Sequence, residues 1–316
     1  MDFRYFMRRF INGITLMFGV TMITFILMVY YGPDQTYALV GKNPSPEDIA
    51  NIRHKLGYDL PFFTRYLNYL REIITADFGY STYFNEKVSS IFSRTAPVSF
   101  LVSLPGFVLG NVLSILLACL AVFYRGKWVD KVVMIFAVMG MSISLIIVLL
   151  AFQIIFCTSV GLNWFPVQGW DVTSFSSYLK YVTVPTLSTV FVALGYNTRF
   201  YRSIIADEYS KHYVRTAYAF GVHPWKIMLK HVMRNTMVTI TTRLIYTLPF
   251  LLISGSLVVE SFFNIPGIGR ITYEAMTTGD LPIVKAMVSL TTVIYVGIFV
   301  IIDIVYRLVD PRVSVK

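Results

Sequence analysis

A chain of 316 residues with 56% hydrophobic and 14% charged side chains, and a mean hydropathy of +0.64, is too apolar for soluble domains, in which about a quarter of residues are charged. Its 27 basic and 17 acidic residues cluster between long uncharged stretches, as lipid-spanning segments require, which excludes a cytosolic enzyme. The net charge of +10 lies mostly in short segments flanking those stretches, so positive-inside sorting explains it and a nucleic-acid surface does not.

Six stretches qualify as spans: Phe10 to Tyr31, Ala96 to Tyr124, Val132 to Thr158, Tyr181 to Thr198, Asn235 to Val259 and Ala286 to Ile302. About 20 apolar residues cross the hydrocarbon, and the shorter fourth and sixth stretches can extend at either end. Only the fifth carries a charge, Arg243, which either snorkels to the interface or precedes the true start of that span. The fold class is therefore an all-α polytopic membrane protein with six transmembrane helices. Arg4, Arg8 and Arg9 before the first span suggest a signal peptide, but the apolar run is too long and Tyr30-Tyr31-Gly32-Pro33-Asp34 is no cleavage site, so an uncleaved anchor is expected.

Lys and Arg in the short loops give orientation. Sixteen lie in the N-terminal tail, the second-to-third loop, the fourth-to-fifth segment and the C-terminal tail; Lys180, Arg270 and Lys285 lie in the loops of opposite parity. Both termini are expected in the cytoplasm. The chain then divides into a tail and first span (1–31), an extracytoplasmic helical segment (32–95) and a five-helix core (96–316) that includes a cytoplasmic loop at 203–235.

In the outer segment, Ser45-Pro46-Glu47-Asp48 has a cap, a proline at the first helical position and early acids, which predicts a helix to about Leu56. Gly57 ends it, and Pro61 opens a second helix in which Tyr66, Leu67, Leu70, Ile73 and Ile74 recur at helical spacing. Such a helical cap either packs over the membrane domain or receives an extracellular partner. Gly106 and Gly110, four apart, permit close helix approach within the chain or between subunits, and Pro105 and Pro249 are expected to kink their helices. Cys119 and Cys157 fall inside apolar stretches and supply neither a disulfide framework nor a metal site.

The inner loop has two short helices around a glycine. Tyr213, Val214, Ala217 and Tyr218 share a face of the first; Gly221 breaks it, and Pro224 starts the second. There Trp225, Met228, Leu229 and Val232 form an apolar stripe, with Lys226, Lys230 and Arg234 on another face. The pattern fits a hairpin at the lipid headgroups or a helix presented to a cytoplasmic protein, with Gly221 permitting close approach.

No Gly-x-x-x-x-Gly-Lys-Ser/Thr occurs, so no phosphate loop is expected and any ATP energy comes from a partner. His54, His212, His223 and His231 make no metal set. Carboxylates at membrane depth, which a proton-driven carrier needs, are thin: Asp303 precedes Arg307 by four residues as a helical ion pair, and Glu260 caps or anchors the end of the fifth span.

Tyr213-Val214-Arg215-Thr216-Ala217, then Gly221, then Lys230-His231-Val232-Met233-Arg234-Asn235, resembles the cytoplasmic loop of permeases from ATP-binding-cassette importers, above all the dipeptide and oligopeptide branch. Leu56-Gly57-Tyr58-Asp59-Leu60-Pro61, Asp77-Phe78-Gly79-Tyr80-Ser81, Trp164-Phe165-Pro166-Val167-Gln168-Gly169, Val258 through Arg270, Asp280-Leu281-Pro282-Ile283-Val284 and Val309-Asp310-Pro311-Arg312 are similar to successive marks of that branch. Arg8-Arg9 and Gly32-Pro33-Asp34 add to the likeness. The resemblance implies a bacterial plasma-membrane permease subunit without a cofactor of its own. Its partners would be a homologous permease, two cytoplasmic ATPases that use ATP and Mg, and an extracytoplasmic binding protein. Tyr213, Val214, Arg215, Thr216, Ala217 and Gly221 would form the ATPase-coupling helix, with Arg215 as a polar contact and Gly221 as a hinge. Lys211-His212 and Phe220 depart from the acidic and basic residues common in the family, which bears on the ATPase matched. Ser142-Ile143-Ser144 lacks the family's usual third-position proline, which predicts a less kinked third span.

Overall fold

The computed structural model describes residues 3–32, 36, 45–55, 57–253 and 257–309, with backbone alone at 3–6, 8–10, 55, 249–253 and 299–309. The Pro33-Asp34 mark, Leu56 and the motif at 310–312 lie outside the described residues, as do the side chains of Pro249, Asp303 and Arg307. Among the described residues the architecture is all-helical, with one isolated bridge between Tyr80 and Lys87.

Helix α1 (Phe3–Tyr30) is followed by α2 (Pro46–Lys55) and α3 (Phe62–Thr75). Ser45 caps α2 as predicted: its Oγ accepts the Asp48 N–H at 3.2 Å, and the Asp48 carboxylate accepts the Ser45 N–H at 3.1 Å. The Ser45 hydroxyl, which donates to the Asp48 carboxylate at 2.7 Å, and next the Ser45 N–H hold that carboxyl below its usual range. After Gly57, at φ +70°, Pro61 precedes α3.

The second predicted span is one helix, α4 (Val88–Phe123), running through Pro97 and Pro105. It starts at Val88 rather than Ala96 because its first turns bury Val88 and Ile91 against Phe78, Ile271 and Ile283. Gly106 and Gly110 bring it onto α7 (Phe175–Tyr209), where a Cβ on Gly106 would lie 2.4 Å from Thr189 Oγ1 and one on Gly110 3.0 Å from Ala193 Cβ. The glycine pair therefore serves packing inside the chain.

The third predicted span is two helices, α5 (Trp128–Ser142) and α6 (Leu145–Cys157), bent by 102° at Ile143-Ser144. The expectation of a less kinked span is overturned. Two consecutive extended residues, Ile143 at ψ 130° and Ser144 at ψ 140°, break the helical bonding without a proline. Just before the break, Gly140 lies against Gly195 of α7, and a Cβ on Gly195 would sit 2.6 Å from the Met141 nitrogen.

The chain continues through α8 (His212–Ala219), α9 (Pro224–Lys226), a π-helical turn (Ile227–Val232) and α10 (Met233–Ile253). Then follow α11 (Leu257–Phe263), α12 (Ile268–Thr278) and α13 (Leu281–Val309). By length and composition α1, α4 and α13 can each cross a membrane, and the bent pair α5 and α6 makes a fourth candidate.

Arg243 lies well inside α10. Its Nη2 donates to Asn197 Oδ1 at 2.9 Å and its guanidinium stacks 3.7 Å over the Phe200 ring. Asn197 and Tyr201 in turn donate to Asn111 Oδ1, at 3.3 and 2.6 Å. A chain of polar contacts thus links α4, α7 and α10, where snorkelling or a later span was expected.

At the other end, Glu260 bonds the start of the next helix, α12, and not, as expected, the end of the fifth span: its fully buried carboxylate accepts the Arg270 N–H at 3.2 Å while Ser99 Oγ accepts the Ile268 N–H at 2.7 Å. The 32–95 segment packs onto the start of α13. Buried Asp280 accepts the Ser81 hydroxyl and the Tyr83 N–H at 3.2 Å, Lys285 pairs with Glu72, and Tyr69 hydrogen-bonds Ser289 at 2.9 Å.

Candidate coupling site

Residues 203–235 fold back on the ends of α4, α7 and α10. Helix α7 stops at Ser210, whose Oγ bonds back to Ala206 O at 2.8 Å, and Lys211, extended at ψ 154°, starts α8. Val214 is 2% exposed, in one apolar cluster with Tyr201, Ile205, Ile227, Met228 and Val232; Tyr213 and Ala217 pack against it. Tyr218 shares that face only at its edge, 39% exposed, with its hydroxyl paired to that of Tyr209. Burial and this pairing push the Tyr209 phenol up to about 12.

Helix α8 ends in a Schellman motif. The Val222 N–H reaches Ala217 O at 3.1 Å and the Gly221 N–H reaches Tyr218 O at 2.9 Å, with Gly221 at φ +72°. A Cβ on Gly221 meets nothing within 4 Å, so within the chain the glycine serves the left-handed turn and no close approach.

The second short helix departs from the predicted stripe. Trp225 stacks on Phe123 of α4 at 4.1 Å, and Ile227, Met228 and Val232 are fully buried, but Leu229 is 62% exposed. The cause is the π-helical turn: its i→i+5 bonding puts Ile227 and Val232 on one face and turns Leu229 outward. Lys226, Lys230 and Arg234 are exposed, as are Arg215, Thr216 and, at 83%, Phe220. The site residues thus divide: Tyr213, Val214 and Ala217 face inward, while Arg215, Thr216 and Gly221 lie on the exposed side.

Two polar clusters hold this segment in place. Glu208 accepts Tyr213 Oη at 2.8 Å, Lys211 Nζ at 2.6 Å and Asn235 Nδ2 at 3.2 Å, and the Asn235 amide also reaches Tyr213 Oη at 3.1 Å. One carboxylate therefore joins the end of α7 to the starts of α8 and α10. Burial pushes the Glu208 carboxyl up, but the bonds from Lys211, Tyr213 and Asn235 together outweigh it and leave it below its usual range. In the second cluster Arg202 Nε and Nη2 clasp the Asp130 oxygens at 2.7 and 2.8 Å, and Asp130 also accepts the Gly126 N–H at 3.1 Å. Sequence reasoning missed both. Asp130 and Arg202 are 72 positions apart, and the break at Ser210 removes the helical phase that would relate Glu208 to Tyr213.

A Brucella abortus protein named as a peptide transport system permease is 31% identical over 309 residues, covering 97% of this chain and 98% of that protein. A glutathione transport system permease protein of Salmonella choleraesuis is 30% identical over 99% of both chains. A Sinorhizobium fredii protein named as a peptide ABC transporter permease is 25% identical over 98% of both. Residues 2–101 match the N-terminal family of binding-protein-dependent transport system membrane components, and residues 110–315 match the family described as binding-protein-dependent transport system inner membrane component, so the chain belongs to that permease family.

Proposed function

We propose that this permease works as one of two homologous membrane subunits of an ATP-driven peptide importer in a bacterial inner membrane, with α8 as the element that seats in a cytoplasmic ATPase. The observation that carries it is the two-sidedness of α8: Val214 and Tyr213 are locked into the ends of three long helices, while Arg215, Thr216 and Phe220 are exposed on the other side. A helix built only to float at lipid headgroups needs no such anchoring. The peptide assignment rests on the relatives named for peptide and glutathione transport.

Six crossings follow if α7 and α10 join α1, α4, the bent pair and α13, with both termini cytoplasmic. Two ATPases, a sister permease and an extracytoplasmic binding protein complete the assembly. ATP binding closes the ATPase pair and displaces α8; because Glu208, Tyr213 and Asn235 bond one another, α7 and α10 move with it and the bundle passes from inward-open to outward-open. Arg215 makes a polar contact to the ATPase, and Gly221 sets the turn behind the helix.

The test is to purify the tagged chain from its native membrane in mild detergent, identify what accompanies it by mass spectrometry, and measure dipeptide uptake after reconstitution. A second permease, ATPases and uptake that requires ATP are expected. A chain that purifies alone and transports without an ATPase overturns the proposal in favour of a secondary carrier or channel.

A further inference from the structure

Helix α3 has a surface that its packing leaves uncovered. At 100° per residue, Phe62, Tyr66, Tyr69 and Ile73 share one side; Phe63, Leu67, Leu70 and Ile74 share the adjacent side; Thr64, Asn68, Arg71 and Thr75 are polar beyond it. The first side packs on α1. Of the second side only Leu70 reaches that contact; Phe63 is 73% exposed, Leu67 64% and Ile74 81%. A row of large apolar side chains this open is unfavourable in water.

The depth of α3 along α1 says what covers the row. Phe25 of α1 lies 5.4 to 5.6 Å from the rings of Phe62, Tyr66 and Tyr69, and Tyr66 Oη reaches Thr21 Oγ1 at 3.0 Å and Phe18 O at 3.3 Å. The apolar stretch of α1 runs from Ile11 to Tyr30. Thr21 is therefore near its middle, about 13 Å below Tyr30 at 1.5 Å per residue, and a tyrosine side chain cannot cover that distance from a helix perched above the end of α1. Helix α3 therefore lies beside the apolar stretch of α1 and not beyond its end. Little of α1 is buried within the chain, and its own exposed side chains there, Phe18, Ile23 and Leu27, are apolar as well. Two of the three charges of α3 are held off the row, Arg65 4.9 Å over the Tyr58 ring and Glu72 paired with Lys285, while the third, Arg71, is exposed on the polar side beyond Leu67, where a long side chain can snorkel to the interface.

We propose that α3 is immersed in the same bilayer leaflet as the C-terminal half of α1, with Phe63, Leu67 and Ile74 against lipid acyl chains. The lipid-facing surface of α1 and the row on α3 then form one continuous apolar wall. The proposal rests on α1 being a membrane crossing and on no other part of the functional reading.

The experiment uses the intact importer, isolated with its partners and reconstituted in lipid nanodiscs, with a nitroxide at Leu67→Cys, at Ile74→Cys or, as reference, at Ile23→Cys on α1. Both native cysteines are buried, and the unsubstituted protein sets their background. Collision with oxygen, which concentrates in lipid, is compared with collision with a water-soluble nickel chelate. Oxygen accessibility several-fold above nickel accessibility at Leu67 and Ile74, matching Ile23, is the expected result. Nickel accessibility above oxygen at both sites places the row in water and overturns the proposal; shielding from both reagents places it under a protein partner and overturns it equally. If Ile23 also faces water, the crossing by α1 is what fails. Two label sites keep the test decisive if one substitution disrupts assembly.

Discussion

Gly221 allows a partner contact to be separated from a backbone requirement. At φ +72° it occupies the left-handed position of the Schellman motif, where an alanine costs about 1–2 kcal/mol and asparagine less. Beyond the backbone nothing in the chain resists the first atom of a side chain, since no atom lies within 4 Å of the added Cβ, and Gly221 is itself exposed. Gly221→Ala and Gly221→Trp should therefore lower the stability of the isolated permease by the same amount, and Gly221→Asn by less. Their effects on the ATPase should diverge. A tryptophan forced into a packed interface costs about 1–3 kcal/mol, roughly a 5- to 150-fold weaker complex at 1.4 kcal/mol per tenfold, whereas Asn and Ala add little bulk. Denaturant unfolding of the three variants gives the first quantity, and titration of the permease with its ATPases gives the second. Should Trp and Ala weaken ATPase binding equally, or Trp leave coupled uptake intact, this segment is not the ATPase seat.

Replacing Asp130 by Ala strips Arg202 of a bidentate partner at 2.7 Å in a pair whose side chains are 9% and 25% exposed, so unfolding should become easier by about 2 kcal/mol. A double-mutant cycle with Arg202→Ala should recover most of that as coupling energy; strict additivity would show that the pair is idle. The Glu208 carboxyl is held below its usual value, so its contribution is complete above the unfolded value of 4.5 and fades as pH falls through the folded value. Hydrogen exchange of residues 212–221 should thus stay constant from pH 8 to about 5, after correction for the intrinsic rate, and loosen below it; Glu208→Gln should abolish that acid dependence. Gly195→Ala drives a Cβ to 2.6 Å from the Met141 nitrogen and 2.8 Å from Ala137 O, backbone atoms that cannot turn aside, so about 2 kcal/mol or more should be lost. Gly19→Ala, with nothing within 4 Å, should gain about 0.5–1 kcal/mol, and equal unfolding midpoints for the two would contradict the packing at α5 and α7.

What could be read from the chain was whatever depends on local chemistry. The Ser45 cap, the turn at Gly221, the burial of Val214 and the uncharged runs of α1, α4 and α13 follow from residues within a few positions of each other. The failures came where one segment answers to another. Leu229 fits an α-helical stripe, yet the π turn that fills the space beside Tyr201 and Ile240 rotates it outward. Ser142-Ile143-Ser144 carries no helix breaker, and the sharp bend falls beside Gly140 and Gly195, a contact between residues far apart in sequence. The bonds from Glu208 to Asn235 and from Asp130 to Arg202 have no periodic trace because they cross between elements.

Those same long-range contacts decide how stiff the proposed coupling segment is. An apolar cluster alone would let α8 slide, since dispersion contacts are non-directional; Val214 could exchange neighbours among Ile205, Met228 and Val232 at little cost. Hydrogen bonds to a charged group are directional, and Glu208 of α7 takes three, two from the start of α8 and one from the start of α10, so α8 cannot rotate without breaking its bonds to α7. Arg202, two turns back on α7, adds a fixed distance to the start of α5. Under the proposed function, a displacement applied at Arg215 or Phe220 would therefore be passed to α5, α7 and α10 together. The bent junction at Ile143-Ser144, where the helical bonds are already broken, is the cheapest place for it to be absorbed.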